Sequence, residues 1–545
     1  MATSILSIGS GALNAAQAGL ATTSHNISNA ATPGYSRQQT LQAANNPLAT
    51  GIGFLGQGVH VVTVRRIYDE FLTRQVGDTQ ASVSQFDAFH GQIAQIDNLL
   101  ADPASGLSPA IQEFFTGVNA VANNPADIAA RQSMLSAGQS LVSRLQILQG
   151  QFDRIRDDTQ GQIAASVEAI NGYAAQIAQI NDAIAKAEAG VSGHTANDLR
   201  DQRDLLIADL NKEIKTTVVR QDDGAYNVFI GNGQPLVMGI SAAALTAMPS
   251  AADPSRLDIG FKSGNVVVPI QTSTLAGGKL GGLLSFRDTA LDPAVNTLGR
   301  IALGLAGTFN AQHRQGFDLT GLAGGDFFSV AAPDVLPNAH NAGSASLSVA
   351  ISGPGALAGS DYQLRYDGTQ YAITRLADGD VQTTASLPIT RDGLDFSLSS
   401  GTMAAGDSFL IRATANGAGK IGVALTDPRQ IAAAAAAPGA GDNRNALALA
   451  ELQTRNMLGN GTATYQSAYA QFVSQVGNQT RAADVASQTQ AKLLEQAKSA
   501  REGLSGVNLD EEAANLLRYQ QAYQAAGKVM QIASTLFDTL LSLGK

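Results

Sequence analysis

Three kinds of residue in this 545-residue chain stand at spacings that binding or catalysis uses. Gly51-Ile-Gly53-Phe-Leu-Gly56 matches the Gly-x-Gly-x-x-Gly loop whose bare backbone approaches a dinucleotide pyrophosphate. That chemistry needs a strand before the loop and a helix N-terminus after it. Here Asn45-Asn-Pro47 precedes, and the alternating Val59, Val61 and Thr63 follow as a strand, so the context rules the loop out. Asp198-Leu-Arg-Asp-Gln-Arg-Asp204 places acids at i, i+3 and i+6 of a helix. The spacing would suit a carboxylate cluster, but the interleaved arginines predict a solvated face laced by ion pairs. The six histidines, His25, His60, His90, His194, His313 and His340, stand singly, with no second ligand at helical spacing. They are expected to be solvated or locally bonded and not metal ligands. No Gly-x-Ser-x-Gly elbow, Walker loop or EF-hand loop occurs, and the sequence has no cysteine, which removes disulfides, thiolate zinc sites and cysteine nucleophiles. No catalytic, cofactor-binding or metal-binding residue is nominated, and the chain reads as a non-enzyme without a cofactor.

Composition narrows the partners. The formal charge is −10, only 15% of residues are charged, and the pI is near 5.1. Arg65-Arg66 is an isolated basic pair, so no basic stripe exists to neutralise phosphates and no nucleic-acid partner is expected. Residues 1–36 contain no Asp, Glu, Lys or Arg, yet they read neither as a secretory signal nor as a membrane span. No basic residue precedes the run, and Asn14, Gln17 and several glycines interrupt it. Gln531 and Asp538 interrupt the C-terminal candidate in the same way. The expectation is a soluble chain without membrane insertion that, if it leaves the cell, does so without a cleaved signal.

The elements that would position any site follow from periodicity. Leu6, Leu13, Leu20 and Ile27 recur every seventh residue, with Gly9, Ala16, Thr23 and Ala30 three positions after each, which is a heptad helix. Thr32-Pro33-Gly34-Tyr35 stops it: proline suits the second position of a turn, glycine the positive φ at the third. A strand over Val59–Val64 leads to a helix from Tyr68 to about Leu100, ended by Asp102-Pro103 and Ser105-Gly106. Two more helices are predicted over 108–122 and 125–189. The second would span about 90 Å at 1.5 Å per residue unless Gly150 or Gly161 breaks it. After a helix over 195–214 the period changes to two at Thr216–Val219, Ala225–Ile230 and Val266–Val268. Helix returns over 285–315, short alternating runs fill 325–427, and helices resume over 443–502. Asn508 with Glu511 predicts a capping box for a last helix in which Leu509, Leu516, Tyr523, Met530 and Phe537 repeat every seventh residue, accompanied by Tyr519, Ala526, Ala533 and Leu540.

The fold expected is therefore multidomain and mainly α with β parts. Paired N- and C-terminal heptad helices (1–60 with 505–545) carry a long helical rod domain (61–325 with 428–504) that includes a β region near 215–275. An all-β outer domain (326–427) is inserted. Leu6, Leu13, Leu20, Ile27, Leu509, Leu516, Tyr523, Met530, Phe537 and Leu540 form the expected assembly seam.

The two ends also carry a resemblance. Asn26-Ile27-Ser-Asn29 followed by Thr32-Pro33-Gly34-Tyr35 resembles the N-terminal signature of the bacterial flagellar rod, hook and hook-associated proteins. Its extension into Ser36-Arg37-Gln38 is most similar to the hook-associated members at the hook-filament junction. Gly56–Val59, Arg66–Leu72, Leu199–Leu206, Asn227–Gly233 and Val507–Gly544 extend the likeness nearly end to end, and Ala31 stands where the family usually has Asn. The resemblance implies a structural subunit exported through the flagellar type III apparatus without a cleaved signal and built into the extracellular flagellum. Its implied partners are the hook protein, the second hook-filament junction protein, neighbouring copies of itself in a ring, and an export chaperone on the C-terminal helix. The terminal helices would form the inner tube, and the chain would act as a mechanical adaptor between hook and filament. Two readings stand beside this one: another axial protein such as a hook protein or flagellin, or a secreted adhesin or enzyme displayed by the β insert.

Overall fold

The chain folds outward from α1 (Ala2–Asn29) and returns to it at its other end. The computed structural model describes residues 2–51, 53–102, 106–189, 194–264, 266–437 and 439–543, with side chains for all of these except 2–4, 263, 540 and 543. Pro103, Ser105, Gly544 and the Leu540 side chain, named above, lie outside the described residues. After α1 come β1 (Gln38–Ala44), β2 (Leu48–Thr50), β3 (Gly53–Leu55) and β4 (Val59–Arg66), with β1 antiparallel to β4 and β2 to β3. The Gly-x-Gly-x-x-Gly match thus falls on the β2–β3 hairpin, not on a strand-to-helix turn.

Next are α2 (Glu70–Ala101), α3 (Leu107–Asn123) and α4 (Ile128–Glu188). Asp69 caps α2 by accepting the Leu72 N–H at 2.9 Å. Helix α4 is unbroken for 61 residues. Gly150 and Gly161 face open space, so they weaken helix propensity without interrupting any packed surface. The first half of α4 buries Leu141, Leu145, Leu148 and Phe152 in one core, and its second half buries Ile163, Val167, Ile170 and Ile177 in another.

The second core is closed by α5 (Asn197–Glu213), by the four-stranded sheet β5 (Thr216–Arg220), β6 (Tyr226–Ile230), β7 (Gln234–Met238), β8 (Ser241–Ala242), and by the three-stranded sheet β9 (Ala244–Pro249), β10 (Leu257–Ser263), β11 (Val266–Pro269). Helix α6 (Gly278–Phe286) supplies Leu280, Leu283 and Leu284 to it, then runs through one π turn, Arg287–Leu291, into α7 (Asp292–His313). Helix α7 belongs to the first core, where Phe114, Phe309, Phe327 and Phe328 pack with ring centroids between 4.8 and 5.7 Å apart.

The β insert follows as β12 (Phe328–Ser329), β13 (Asp334–Pro337), β14 (Ser346–Ile351), β15 (Tyr362–Tyr366), β16 (Tyr371–Arg375), β17 (Val381–Thr384), β18 (Ile389–Arg391), β19 (Leu394–Ser400), β20 (Ser408–Arg412) and β21 (Gly422–Val423). A five-stranded sheet in the order β13-β20-β15-β16-β17 faces a three-stranded one, β14-β19-β18, and their inward residues, among them Val349, Leu364, Phe396 and Ile411, form a third core. Within the insert that core reaches only from Val335 to Ala413, narrower than the 326–427 expected, and Leu303 of α7 joins it from the helical body. Phe327, Phe328, Ala415, Ala418 and Ile421 turn back into the aromatic core, because β12 pairs with β21 against the helical body. The other expected boundary, at 60/61, cuts β4 in two, and the strand pair continues to Arg66. The insert sits on α7 through close backbone approach: a Cβ on Gly299 would lie 1.7 Å from the Thr414 carbonyl oxygen, so only glycine fits.

Finally α8 (Arg444–Glu451), α9 (Tyr465–Ser505) and α10 (Leu509–Leu543) bring the chain back, α9 along α2 and α10 along α1. Among the described residues no helix is long and apolar enough to cross a membrane. The architecture is mainly α with β parts, about 53% helix and 19% strand.

One buried histidine ties the two passages between helical body and insert. His313 has no solvent exposure; its Nδ1 lies 2.7 Å from the Gly325 carbonyl oxygen and its Nε2 accepts the Ala432 N–H at 2.9 Å. Nε2 must carry the lone pair, so this ring is neutral, and burial lowers its pKa. The unfolded state therefore binds the proton more tightly. The bond is fully available above the unfolded value, about 6.5, and is lost as pH falls below it. Thermal unfolding of the chain should accordingly drop between pH 7 and pH 5, and His313→Gln should flatten that dependence.

Candidate functional site

The chemistry-bearing residues converge where the Pro-Gly turn meets the body, and Arg37 is the hub. It is the only Asp, Glu, Lys or Arg among residues 1–64. Its backbone N–H donates to the Ser505 carbonyl at the end of α9 (2.9 Å), and its own carbonyl accepts the Ile67 N–H beyond β4 (2.7 Å). Its guanidinium forks onto Glu511 with bonds of 2.7 and 3.0 Å, while Nε donates to Glu512 at 2.7 Å. One residue thus holds three separate segments. The Glu511 carboxyl is held below its ordinary range by its bonds to Arg37. The capping box expected at Asn508 is only half formed: the Asn508 carboxamide oxygen accepts the Asp510 N–H at 3.0 Å and the Glu511 N–H at 3.3 Å, but the Glu511 side chain reaches Arg37 instead of the cap, because a guanidinium outbids a backbone amide.

Glu512 is 1% exposed, and its second oxygen accepts from Asn26 at 3.1 Å. Asn26, also buried, uses its whole amide: Nδ2 also donates to the Gln38 carbonyl at 2.9 Å, and Oδ1 accepts from Tyr35 Oη at 2.7 Å and from the Gln38 N–H at 2.9 Å. Burial, with Asp198, Asp201 and Glu512 nearby, raises the Tyr35 pKa, so its hydroxyl remains a donor. Thr32-Pro33-Gly34-Tyr35 closes as a turn, Tyr35 N–H to the Thr32 carbonyl at 3.2 Å, with Gly34 at φ +79° against Leu205 of α5. Asn29 donates to the His25 carbonyl at 3.0 Å and accepts from the Thr32 hydroxyl at 3.2 Å. Ser36 N–H donates to Asp201 at 2.9 Å, and Ile27 is 37% exposed.

The Asp198–Asp204 segment is therefore not the solvated face expected. Asp201 is 5% exposed and Arg203 1%. Arg66, expected to be merely half of an isolated pair, donates to Asp201 at 2.8 Å and Asp204 at 2.6 Å; burial opposes its charge and the two aspartates overcome that. Arg203 lies 3.4 Å from the Tyr226 ring centroid and donates to Asn181 at 2.9 Å. Helical periodicity gave these residues one face, but α5 is covered by α4, β6 and the Pro-Gly turn, which leaves only part of that face wet.

The terminal helices meet through their small residues. Gly9, Ala16, Gly19 and Thr23 of α1 and Ala526 and Ala533 of α10 are buried. Gly9 lies beneath Met530 and Gly19 beneath the Tyr519 ring, where an added Cβ would come within 2.8 and 2.5 Å respectively. Of the expected seam, Leu6, Leu13, Leu20, Leu516 and Met530 are half-buried along the flanks, and Leu509, Tyr523 and Phe537 are exposed. Within the chain the small stripe is the contact and the large stripe its rim.

Paired terminal helices joined to a helical body by a Thr-Pro-Gly-Tyr turn define the class: a flagellar axial protein. Residues 6–35 match the family model described as flagella basal body rod protein, and residues 503–543 match flagellar basal body rod FlgEFG protein C-terminal. Residues 93–328 match the flagellar hook-associated protein FlgK helical domain, and residues 336–413 the flagellar hook-associated protein 1 D2-like domain. Flagellar hook-associated protein 1 of Salmonella typhimurium is 41% identical over 97% of this chain and 98% of its own length, and that of Escherichia coli K12 is 39% identical with the same coverage. The flagellar hook junction protein FlgK from Burkholderia pseudomallei has the same fold, with a TM-score of 0.74 and 30% identity over 79% of this chain and all of that one. The chain belongs to the flagellar hook-associated protein 1 family, a family of structural proteins and not of enzymes.

Glu512 was not readable as a site residue from periodicity, yet a signal existed: a lone cation in a neutral 64-residue stretch requires a carboxylate, and Asp510-Glu511-Glu512 is the acidic run nearest the other end of the paired helices. Glu512→Ala would leave Arg37 and Asn26 without their buried acceptor and should destabilise the terminal pair by about 3 kcal/mol. Glu511→Ala, at an exposed carboxylate, should cost much less. Hydrogen exchange over residues 20–38 and 505–519 measures the difference.

Proposed function

We propose that the chain is the structural subunit that joins the flagellar hook to the filament, assembling through its terminal helices and acting as a mechanical adaptor between the two. The observation that carries this reading is the outer surface of α10. Leu517, Ile532, Leu536 and Leu541, each at least 46% exposed, stand around a helix that packs, among the described residues, mainly against α1 through its small-residue face. A helix apolar on several sides is stable in water only when neighbours cover it. The β2–β3 hairpin adds Phe54, 78% exposed. Neighbouring copies of the same subunit in a ring would cover both.

In this reading the terminal unit (residues 1–66 with 506–545) lines the inner tube, the helical body surrounds it, and the insert faces outward. Hook protein lies on one side of the ring and the second hook-filament junction protein on the other. The subunit travels through the flagellar type III apparatus to an extracellular position without a cleaved signal, and a chaperone covers α10 before export. The names and titles of the relatives, hook-associated protein and hook junction protein, support the location. The unbroken α4 and the hub at Arg37 support the mechanical role, since both resist relative motion of the parts they join.

Removal of residues 509–545 should leave the helical body and insert folded and soluble while abolishing incorporation. In a strain lacking the native gene, electron microscopy should then show hooks without filaments, with flagellin monomers in the medium. Normal filaments on that truncation would overturn the reading.

A further inference from the structure

The insert seats on α7 through the loop 353–361, where a Cβ on Gly359 would lie 3.5 Å from Thr297 Oγ1 and 3.7 Å from Arg300 Nε. Asp361 closes that loop. Asn296 of α7 lies beside its carboxylate and favours its charge, but Oδ1 is sealed from solvent and has no partner among the described residues. The charged groups facing it are Arg412 of β20, Asp253 of the β9–β10 turn and Asp292 of α7. The one cation is shared, since Arg412 also lies 3.6 Å from Asp253, and Asp292 is engaged by Arg256 at 2.9 Å. On the remaining side Leu376 donates its N–H to the Asp361 carbonyl, and the adjacent Arg375 and Asp378 pair with each other at 2.7 Å. An ionised carboxylate here has two like charges, half a cation and one orphaned oxygen; a neutral carboxyl is suited to the site.

We propose that Asp361 is a proton-sensitive latch between the β insert and the helical body: neutral, it seats the loop 353–361 on α7, and ionised, it loosens that seat. Burial, opposed by Arg412 and assisted by Asp292, pushes its carboxyl up to about 6. The seated form therefore binds the proton more tightly than the released loop does. The seat is weakest above about pH 6 and firms as pH falls through that value, opposite in sign to the effect at His313.

Hydrogen exchange on the full chain, corrected for intrinsic exchange rates, tests this at pH 5 and pH 7.5. Segments 292–303 and 353–361 should open several-fold more at pH 7.5 in the native sequence. Asp361→Asn should remove the pH difference, holding both segments as closed at pH 7.5 as at pH 5. Arg412→Gln, which removes the facing cation, should move the midpoint to higher pH and serves if Asp361→Asn fails to fold. Equal opening of the native chain at both pH values, an unchanged pH dependence in Asp361→Asn, or an unmoved midpoint in Arg412→Gln would overturn the proposal.

Discussion

The terminal helices hang on the Arg37 node. The backbone of that residue holds the end of α9 and the exit of β4, and its side chain holds the start of α10. Burying a guanidinium beside a carboxylate is costly unless every remaining donor and acceptor is used. The node meets that condition because Asn26 and Tyr35 occupy the second Glu512 oxygen and each other. Below it, Arg66 repeats the arrangement with Asp201 and Asp204, so the turn between α1 and β1 is clamped from two sides. Two polar layers, not an apolar core, join the terminal helices to the rest.

That division of labour fits the absence of charge from residues 1–36. Helices α1 and α10 approach through Gly9, Ala16, Gly19, Ala526 and Ala533, with Met530 and Tyr519 seated on the two glycines and Leu509, Tyr523 and Phe537 left exposed. Such a pair gains its hydrophobic stabilisation from whatever covers the rim, while the buried charges at its base fix its direction before any neighbour arrives. Specificity of direction and strength of assembly are thus carried by different residues.

Much of the fold was legible in the sequence because long periodic segments declare themselves. The extents of α3, α4 and α5 fall within a few residues of expectation, and Pro33 and Gly34 mark a real boundary. The misreadings share one physical cause. Periodicity shows which residues share a face but not what covers it, so the Asp198–Asp204 face looked solvated when α4, β6 and the turn bury most of it, and the large heptad stripe looked like the intrachain contact. Glu511 looked like a cap because its real partner lies 474 residues away. Likewise Phe327 and Phe328 read as the opening of the insert, whereas the aromatic rings already filling the body recruit them.

The continuity of α4 has a mechanical consequence. Two cores strung on one spar cannot tilt independently, because the helix between them would have to break hydrogen bonds to kink. A bending moment applied at one core arrives undiminished at the other. The three-residue straps at 67–69 and 506–508 that bracket the Arg37 node are held by it and by the Asp69 and Asn508 caps, so load entering at the terminal helices would pass to the spar with little loss at the joint.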